Sequence, residues 1–229
     1  MNAIILAAGL GSRFKDFIRD KHKALLPINS QPNIERTIQF LHKANIYDIF
    51  IVTGYNAYLF DYLSLKYNCK IIYNEKYKEY NNIYSFLKIS DFFSNSYIID
   101  ADVVLFKNIF LEKVNYSTYF LIQRETKGKE WIPIIGKDDF ISRIDVSDIR
   151  KPSLLGVSYW IEKDSLLIKT ELKKYLSTEI LENPSYYWDD IPRKIINQMN
   201  VKAFILEKDD AGEMDDIEDY LKLSEKRNY

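Results

Sequence analysis

The chain opens on an unbroken apolar run, Ala3-Ile-Ile-Leu-Ala7, that ends at once in Ala8-Gly9-Leu10-Gly11-Ser12-Arg13. A run this short, closed by glycine, reads as a strand, and with no polar residue alternating inside it the strand is buried on both faces. The same rhythm returns. Strands are expected at Asp48–Thr53 (ended by Gly54), Lys70–Tyr73 and Ser96–Ile99, and helices at Pro32–Ala44, Ala57–Tyr67 and Ile83–Phe92. Ile34, Ile38, Leu41 and Ala44 recur at helical spacing, and Pro32 suits a first helical turn. Strands alternating with helices imply right-handed crossovers and a mainly parallel sheet.

Beyond Lys107 the rhythm changes. Ser117–Gln123, Trp131–Ile135, Phe140–Asp145 and Leu155–Trp160 read as strands with short connections, hence a mixed or antiparallel extension. Helical stretches at Lys163–Leu176 and Ile191–Met199, a strand at Val201–Leu206 and a helix from Ile217 follow. The fold class is α/β, Rossmann-like and doubly wound, a mainly parallel sheet with a smaller antiparallel extension in the second half. No internal repeat or linker interrupts the 229 residues, which read as one domain.

Charge narrows the partners. A formal net charge of −1 provides no basic field for a polyanion, so nucleic acid and anionic membranes are poor partners and phosphate binding must be local. Cys69 is the single cysteine, and with two histidines it makes a structural zinc site improbable. No apolar stretch approaches the roughly 20 residues of a membrane span, and the opening run lacks the basic flank of a signal peptide. A cytoplasmic location is expected. Oligomeric state is left open.

Three motifs carry chemistry. The loop Ala8–Arg13 follows a buried strand, and its small residues let backbone N–H groups approach an anion while Arg13 adds a fixed charge. It matches neither the Walker A pattern nor the full dinucleotide fingerprint. Two glycines alone would fit an ordinary tight turn; the company of small residues and an arginine favours an anion site. The second motif, Asp100-Ala101-Asp102, sits past the end of an apolar strand, where open α/β sheets bind ligands and a carboxylate pair suits a hard cation. The third, Glu213-Met-Asp215-Asp216, precedes a helix, a place where acids also simply complement the helix dipole.

With these residues in view, Leu6-Ala-Ala-Gly-Leu-Gly-Ser-Arg13 resembles the opening signature of the sugar-phosphate nucleotidyltransferase superfamily. That family places a lysine about ten residues on, usually after proline; here Lys23 follows His22. The resemblance implies Mg²⁺ held by Asp102 and a late aspartate, Asp215. It also implies catalytic charge from Arg13 and Lys23, and nucleotide contacts from Leu6, Ala8, Gly9, Gly11, Ser12, Arg13, Gly54, Tyr80, Asn82, Ser85 and Ala101. Asn81 and Asn82 equally suit helix capping. Gly54-Tyr55, the stretch Tyr73–Ser85, Glu130-Trp131, Gly156–Trp160 and Tyr187-Trp-Asp189 narrow the likeness to bacterial choline-phosphate cytidylyltransferases, which make CDP-choline for decorating surface glycans.

That likeness implies CTP and phosphocholine as substrates, with residues 1–106 forming the nucleotide-binding part and 107–229 the substrate-binding part. A quaternary ammonium donates no hydrogen bonds, so aromatic faces and nearby acids are its natural enclosure. Lys23, Glu130, Trp131, Tyr159, Trp160, Tyr187 and Asp189 are the substrate-binding candidates. Other readings are an enzyme for a related phospho-alcohol, phosphonate or sugar 1-phosphate, and a non-catalytic nucleotide-sensing domain. The last predicts a lost loop or metal residue, whereas Arg13, Lys23, Asp102 and Asp215 are all present.

Overall fold

A computed structural model describes residues 1–124 and 128–226, the side chains of residues 15 and 16 excepted. β1 (Asn2–Ala7) is buried throughout and divides the core. Ala3, Ile5 and Ala7 pack on one face with Ile34, Ile38, Phe60 and Leu63, while Ile4 and Leu6 pack on the other with Ile83, Phe86 and Ile168. Strand alternation thus sends successive apolar side chains into two separate helix layers, which is why the opening run needs no polar face.

Short 3-10 turns at Ser12–Ile18 and Lys23–Leu25 follow β1. A minimal hairpin of β2 (Pro27–Ile28) and β3 (Gln31–Pro32) then turns the chain into α1 (Asn33–Lys43). Its two turn residues, Asn29 and Ser30, both lie in the left-handed region, as a tight two-residue hairpin loop requires. Pro32 is the cap of α1 and not its first turn. β4 (Ile49–Thr53), α2 (Asp61–Tyr67), β5 (Lys70–Tyr73), α3 (Asn82–Ile89) and β6 (Ser96–Asp100) complete the alternating half.

The second half contributes β7 (Val103–Leu105), β8 (Ser117–Ile122), β9 (Glu130–Ile135), β10 (Ile141–Ser147) and β11 (Ser153–Trp160). These lead to α4 (Glu162–Leu172), α5 (Thr178–Glu182), α6 (Asp190–Lys194), β12 (Val201–Leu206), β13 (Ala211–Glu213) and α7 (Ile217–Glu225). Seven strands form one sheet in the order β12-β8-β11-β6-β1-β4-β5, so both halves of the chain share it. β1 runs parallel to β4 and β6, β4 to β5, and β12 to β8.

β11 is antiparallel to both its neighbours, β6 and β8, and is the one reversed strand of this sheet. The antiparallel extension is a separate pair, β9 with β10, and a second small pair joins β7 to β13. β7, β13 and α5 are three to five residues long, too short for any periodicity to reveal them. The reversal of β11 decides what reaches the site. Val157 stands opposite Ile99, and Trp160 opposite Ser96 at the start of β6. The Gly156 end of β11 therefore meets the carboxyl-terminal ends of the parallel strands, and the Trp160 end lies at the far edge.

Candidate active site

The crevice opens where the parallel strands end. β1 delivers Ala8, whose carbonyl accepts from Tyr55 N–H at 3.3 Å. Gly54 permits that approach: a Cβ there would stand 2.7 Å from the Ala8 oxygen and 2.5 Å from Tyr77 Cβ. Gly9 is exposed with open space around it, whereas Gly11 takes a left-handed φ of +61° over Ile18. No residue with a side chain fits that second position without moving Ile18.

Asp102 is fixed from three sides. Ala101 N–H donates to the Leu6 carbonyl at 3.2 Å, and Met214 N–H donates to the Asp102 carbonyl at 3.0 Å. The buried amide of Asn33, at the start of α1, donates to the carbonyls of Ala101 at 3.3 Å and Val103 at 2.7 Å. Met214 in turn brings Asp215 beside Asp102. Lys23 Nζ meets Asp102 Oδ2 at 2.5 Å, and Arg13 meets Asp215 Oδ1 at 2.9 Å. Burial alone would push the Lys23 ammonium down, but the Asp102 carboxylate outweighs it and holds the pKa above the ordinary lysine value. All four charged residues singled out in the sequence thus meet as two ion pairs at one end of the crevice.

The other end is a cavity of about 220 Å³ lined by Asn82, Asp100, Glu130, Trp131, Leu154, Gly156, Tyr187, Asp189 and Glu213. Trp131 and Tyr187 meet edge to face, centroids 6.3 Å apart. Arg193 lies 4.7 Å from the Trp131 ring centroid. Four of the lining side chains are carboxyls. Glu213 pairs with Arg124, which also donates to the Leu154 carbonyl, and Asp189 accepts from the buried Tyr119 hydroxyl at 2.9 Å. Burial lifts Asp189 to about 7 and Glu213 to about 8, in the latter case against the pull of Arg124. Asp100 is raised well above the usual carboxylate range by burial and by the neighbouring Asp102. Gly156, at φ +75°, makes room for it, since a Cβ would lie 2.9 Å from Asp100 Oδ2. Four carboxyls thus line this pocket, and Arg124 pairs with one of them, Glu213.

The structure separates the sequence candidates. Glu130, Trp131, Tyr187, Asp189 and Asn82 converge on the cavity. Tyr159 and Trp160 do not: the reversed β11 carries them to the opposite edge, 2% and 0% exposed. Tyr159 packs on Tyr97, and Trp160 on Tyr119 and Trp188, its indole N–H donating to Ser158 Oγ. They are core residues, and their place in the substrate wall is withdrawn. Ser85 is likewise buried, its hydroxyl accepting from Asn74, so it ties α3 to the segment after β5 and offers nothing to a nucleotide.

The remaining nucleotide candidates divide. Leu6 and Ala101 lie beneath the crevice, their backbone groups bonded to each other. Ser12 is exposed beside Gly11. Tyr80 packs edge-on against Tyr84 outside the carboxyl-lined cavity. Asn82 accepts from Trp188 N–H at 2.8 Å, while Asn81 caps α3 through Ile83 N–H. Two cavity carboxyls were not among the substrate-binding candidates. Asp100 was weighed only as a second metal ligand, and Glu213 only as part of an acidic stretch. The sole hint was their spacing, two residues before Asp102 and Asp215, which on extended backbone repeats one side of the chain.

Asp102 and Asp215 are the residues able to hold a divalent cation. Among the described residues no cluster of three or more potential ligands forms a metal cage. A two-carboxylate site still suits Mg²⁺, which takes much of its shell from water and substrate phosphates. Each carboxylate already faces a cationic side chain, Lys23 for Asp102 and Arg13 for Asp215.

This geometry has close counterparts among known proteins. Residues 3–113 match the family model described as a MobA-like NTP transferase domain. The chain is 51% identical over 226 residues to the choline-phosphate cytidylyltransferase of Haemophilus influenzae, covering 99% of this chain and 97% of that protein. A 2-aminoethylphosphonate cytidylyltransferase of Lancefieldella rimae is 28% identical, covering 94% and 89%. The solved structure of the CTP:phosphocholine cytidylyltransferase of Streptococcus pneumoniae superposes with a TM-score of 0.93 at 38% identity, over 98% of this chain and 97% of that one. Nearly full-length likeness in both sequence and fold leads to one conclusion: the chain belongs to the choline-phosphate cytidylyltransferase family.

Proposed function

We propose that this chain transfers CMP from CTP to phosphocholine, releasing pyrophosphate, with Mg²⁺ held between Asp102 and Asp215. The observation that carries the substrate is the opposite character of the two ends of the crevice. A loop with open backbone, Arg13 and Lys23 lies at one end; four carboxyls and the Trp131–Tyr187 pair lie at the other. A molecule with a phosphate at one end and a permanent cation at the other satisfies both. A sugar 1-phosphate brings no cation to balance the carboxyls, and a nucleotide-sensing domain has no use for the second pocket.

The phosphate of the substrate is already an anionic nucleophile, so the reaction needs no general base. Catalysis is then positioning and charge neutralisation. The amides around Gly9 and Gly11 and the Arg13 guanidinium hold the outer phosphates of CTP. Lys23 leaves Asp102 enough to neutralise the α-phosphate and the attacking oxygen. When bound, Mg²⁺ supplies Lewis-acid stabilisation of the phosphate charge. Asp189, Glu213 and Glu130 face the ammonium, and Trp131 and Tyr187 present ring faces and edges to its methyl groups. CDP-choline made in the cytoplasm would serve as the donor for surface glycan decoration.

The test is pyrophosphate release with CTP, with and without Mg²⁺, comparing phosphocholine, phosphoethanolamine, 2-aminoethylphosphonate and glucose 1-phosphate. Preference for phosphocholine supports the reading. Preference for the phosphonate keeps the chemistry and moves the substrate. Silence with every acceptor overturns it.

A further inference from the structure

His22 directly precedes Lys23 in the sequence. In the fold it is buried, 1% exposed, and joins two parts of the anion site. Its Nδ1 accepts from Ala24 N–H at 3.1 Å, capping the turn that carries Lys23. Its Nε2 lies 3.2 Å from the Gly9 carbonyl. A ring nitrogen that accepts from an amide bears no proton, so in the neutral ring the proton sits on Nε2 and is donated to Gly9. Burial, then the neighbouring Lys23, hold the imidazole down at about 4, which keeps that tautomer in place at neutral pH. Edge-on packing against Phe60, 4.9 Å between centroids, fixes the ring plane.

The Gly9–Leu10 peptide is planar and trans, so its carbonyl and its N–H point in opposite directions. With the carbonyl drawn inward to His22, the Leu10 N–H faces the opposite way, on a stretch where Gly9 and Leu10 are both exposed. Glycine makes the alternative easy: little steric cost opposes a flip that would turn the carbonyl outward. A carbonyl oxygen there would repel the phosphates that the loop is built to receive.

We propose that His22 locks the Gly9–Leu10 peptide in the orientation that offers an N–H donor to the nucleotide's phosphates, making it a positioning residue for the loop and for Lys23 at once. The inference rests on reading this loop as the CTP phosphate cradle. His22→Asn and His22→Gln separate its two bonds in the full-length protein. Asparagine keeps an acceptor for Ala24 N–H but loses reach to Gly9; glutamine keeps a donor at the Nε2 position.

The experiment is equilibrium CTP titration together with steady-state kinetics and thermal melts of the parent and both variants. His22→Asn should melt near the parent, weaken CTP binding and raise the CTP KM by about fivefold, the worth of one ordinary hydrogen bond, and leave the phosphocholine KM unmoved. His22→Gln should bring CTP affinity back to within about twofold of the parent. An unchanged CTP affinity in His22→Asn overturns the proposal. So does a fall in kcat alone, equal in both variants, because that is the pattern of a structural defect. A parent that binds no CTP at all overturns the cradle reading, and this inference with it.

Discussion

The two ends of the crevice handle charge in opposite ways. At the loop end each cation already has a carboxylate: Arg13 with Asp215, both exposed, and Lys23 with Asp102, both largely covered. At the cavity end four carboxyls gather, with Glu213 paired to Arg124, and burial holds all four above their ordinary range. The first arrangement matches each cation with a carboxylate. In the second, carboxyls outnumber the arginine paired with them, which is what the proposed cationic ligand would offset. Local charge balance, more than total charge, tells which end takes which part of a zwitterion.

The comparison can be broken or sharpened in order of expected effect. Trp160→Ala should destabilise by about 3–5 kcal/mol, as for a large core truncation, while the folded fraction keeps its phosphocholine KM; denaturant melts and kinetics check this. A selective loss of phosphocholine binding would put Trp160 back in the wall. Lys23→Ala should lower kcat on the order of 10²-fold, the typical loss of a preorganised charge donor, and exposed Arg13→Ala less, by about tenfold.

Asp189→Asn sharpens the other end. It should raise the phosphocholine KM by about tenfold, the scale of a close charge–charge attraction near a protein surface, and raise stability at pH 8. The sign follows from its pKa: the folded carboxyl sits at about 7 against 3.8 when free, so it binds its proton more tightly in the folded state. Stability is therefore lost as pH rises from about 4 to about 7, and an amide that cannot ionise recovers up to about 4 kcal/mol of it. Melting temperature against pH for both proteins reads this directly. Phosphocholine capture by the parent should strengthen as pH rises through 7, and that limb should shrink in the variant. Smallest is Trp131→Ala, about fivefold in phosphocholine KM, the scale of one cation–π contact; the KM for phosphoethanolamine should move less.

Much of this was legible early because it depends on neighbours in sequence. The opening strand, the Gly9–Gly11 loop, and the aspartate at the end of β6 follow from apolar runs and their punctuation, as does the alternation through β6. Of the four charged residues of the loop end, Arg13 and Asp102 follow apolar strands, whereas Lys23 and Asp215 were reached through the family resemblance. Glu130, Trp131, Tyr187 and Asp189 were found by motif, and the fold brings all four together.

What failed shares one cause. Tyr159 and Trp160 belong to one of the motifs that carry the resemblance, yet their position depends on the direction in which β11 enters the sheet. Nothing within an eight-residue apolar strand encodes its sense; that is decided by which neighbours it pairs with and how the chain reaches them. Glu213 needed the β7–β13 pairing to reach the cavity, and His22 needed Gly9 beside it to be more than a buried ring. The sequence by itself determined the parallel α/β half, the anion loop and the identities of the charged residues, because these rest on local periodicity and residue chemistry. Only the tertiary structure decided which acids face a cation and which aromatics are core, because strand sense, long-range pairing and burial arise from contacts far apart in the chain.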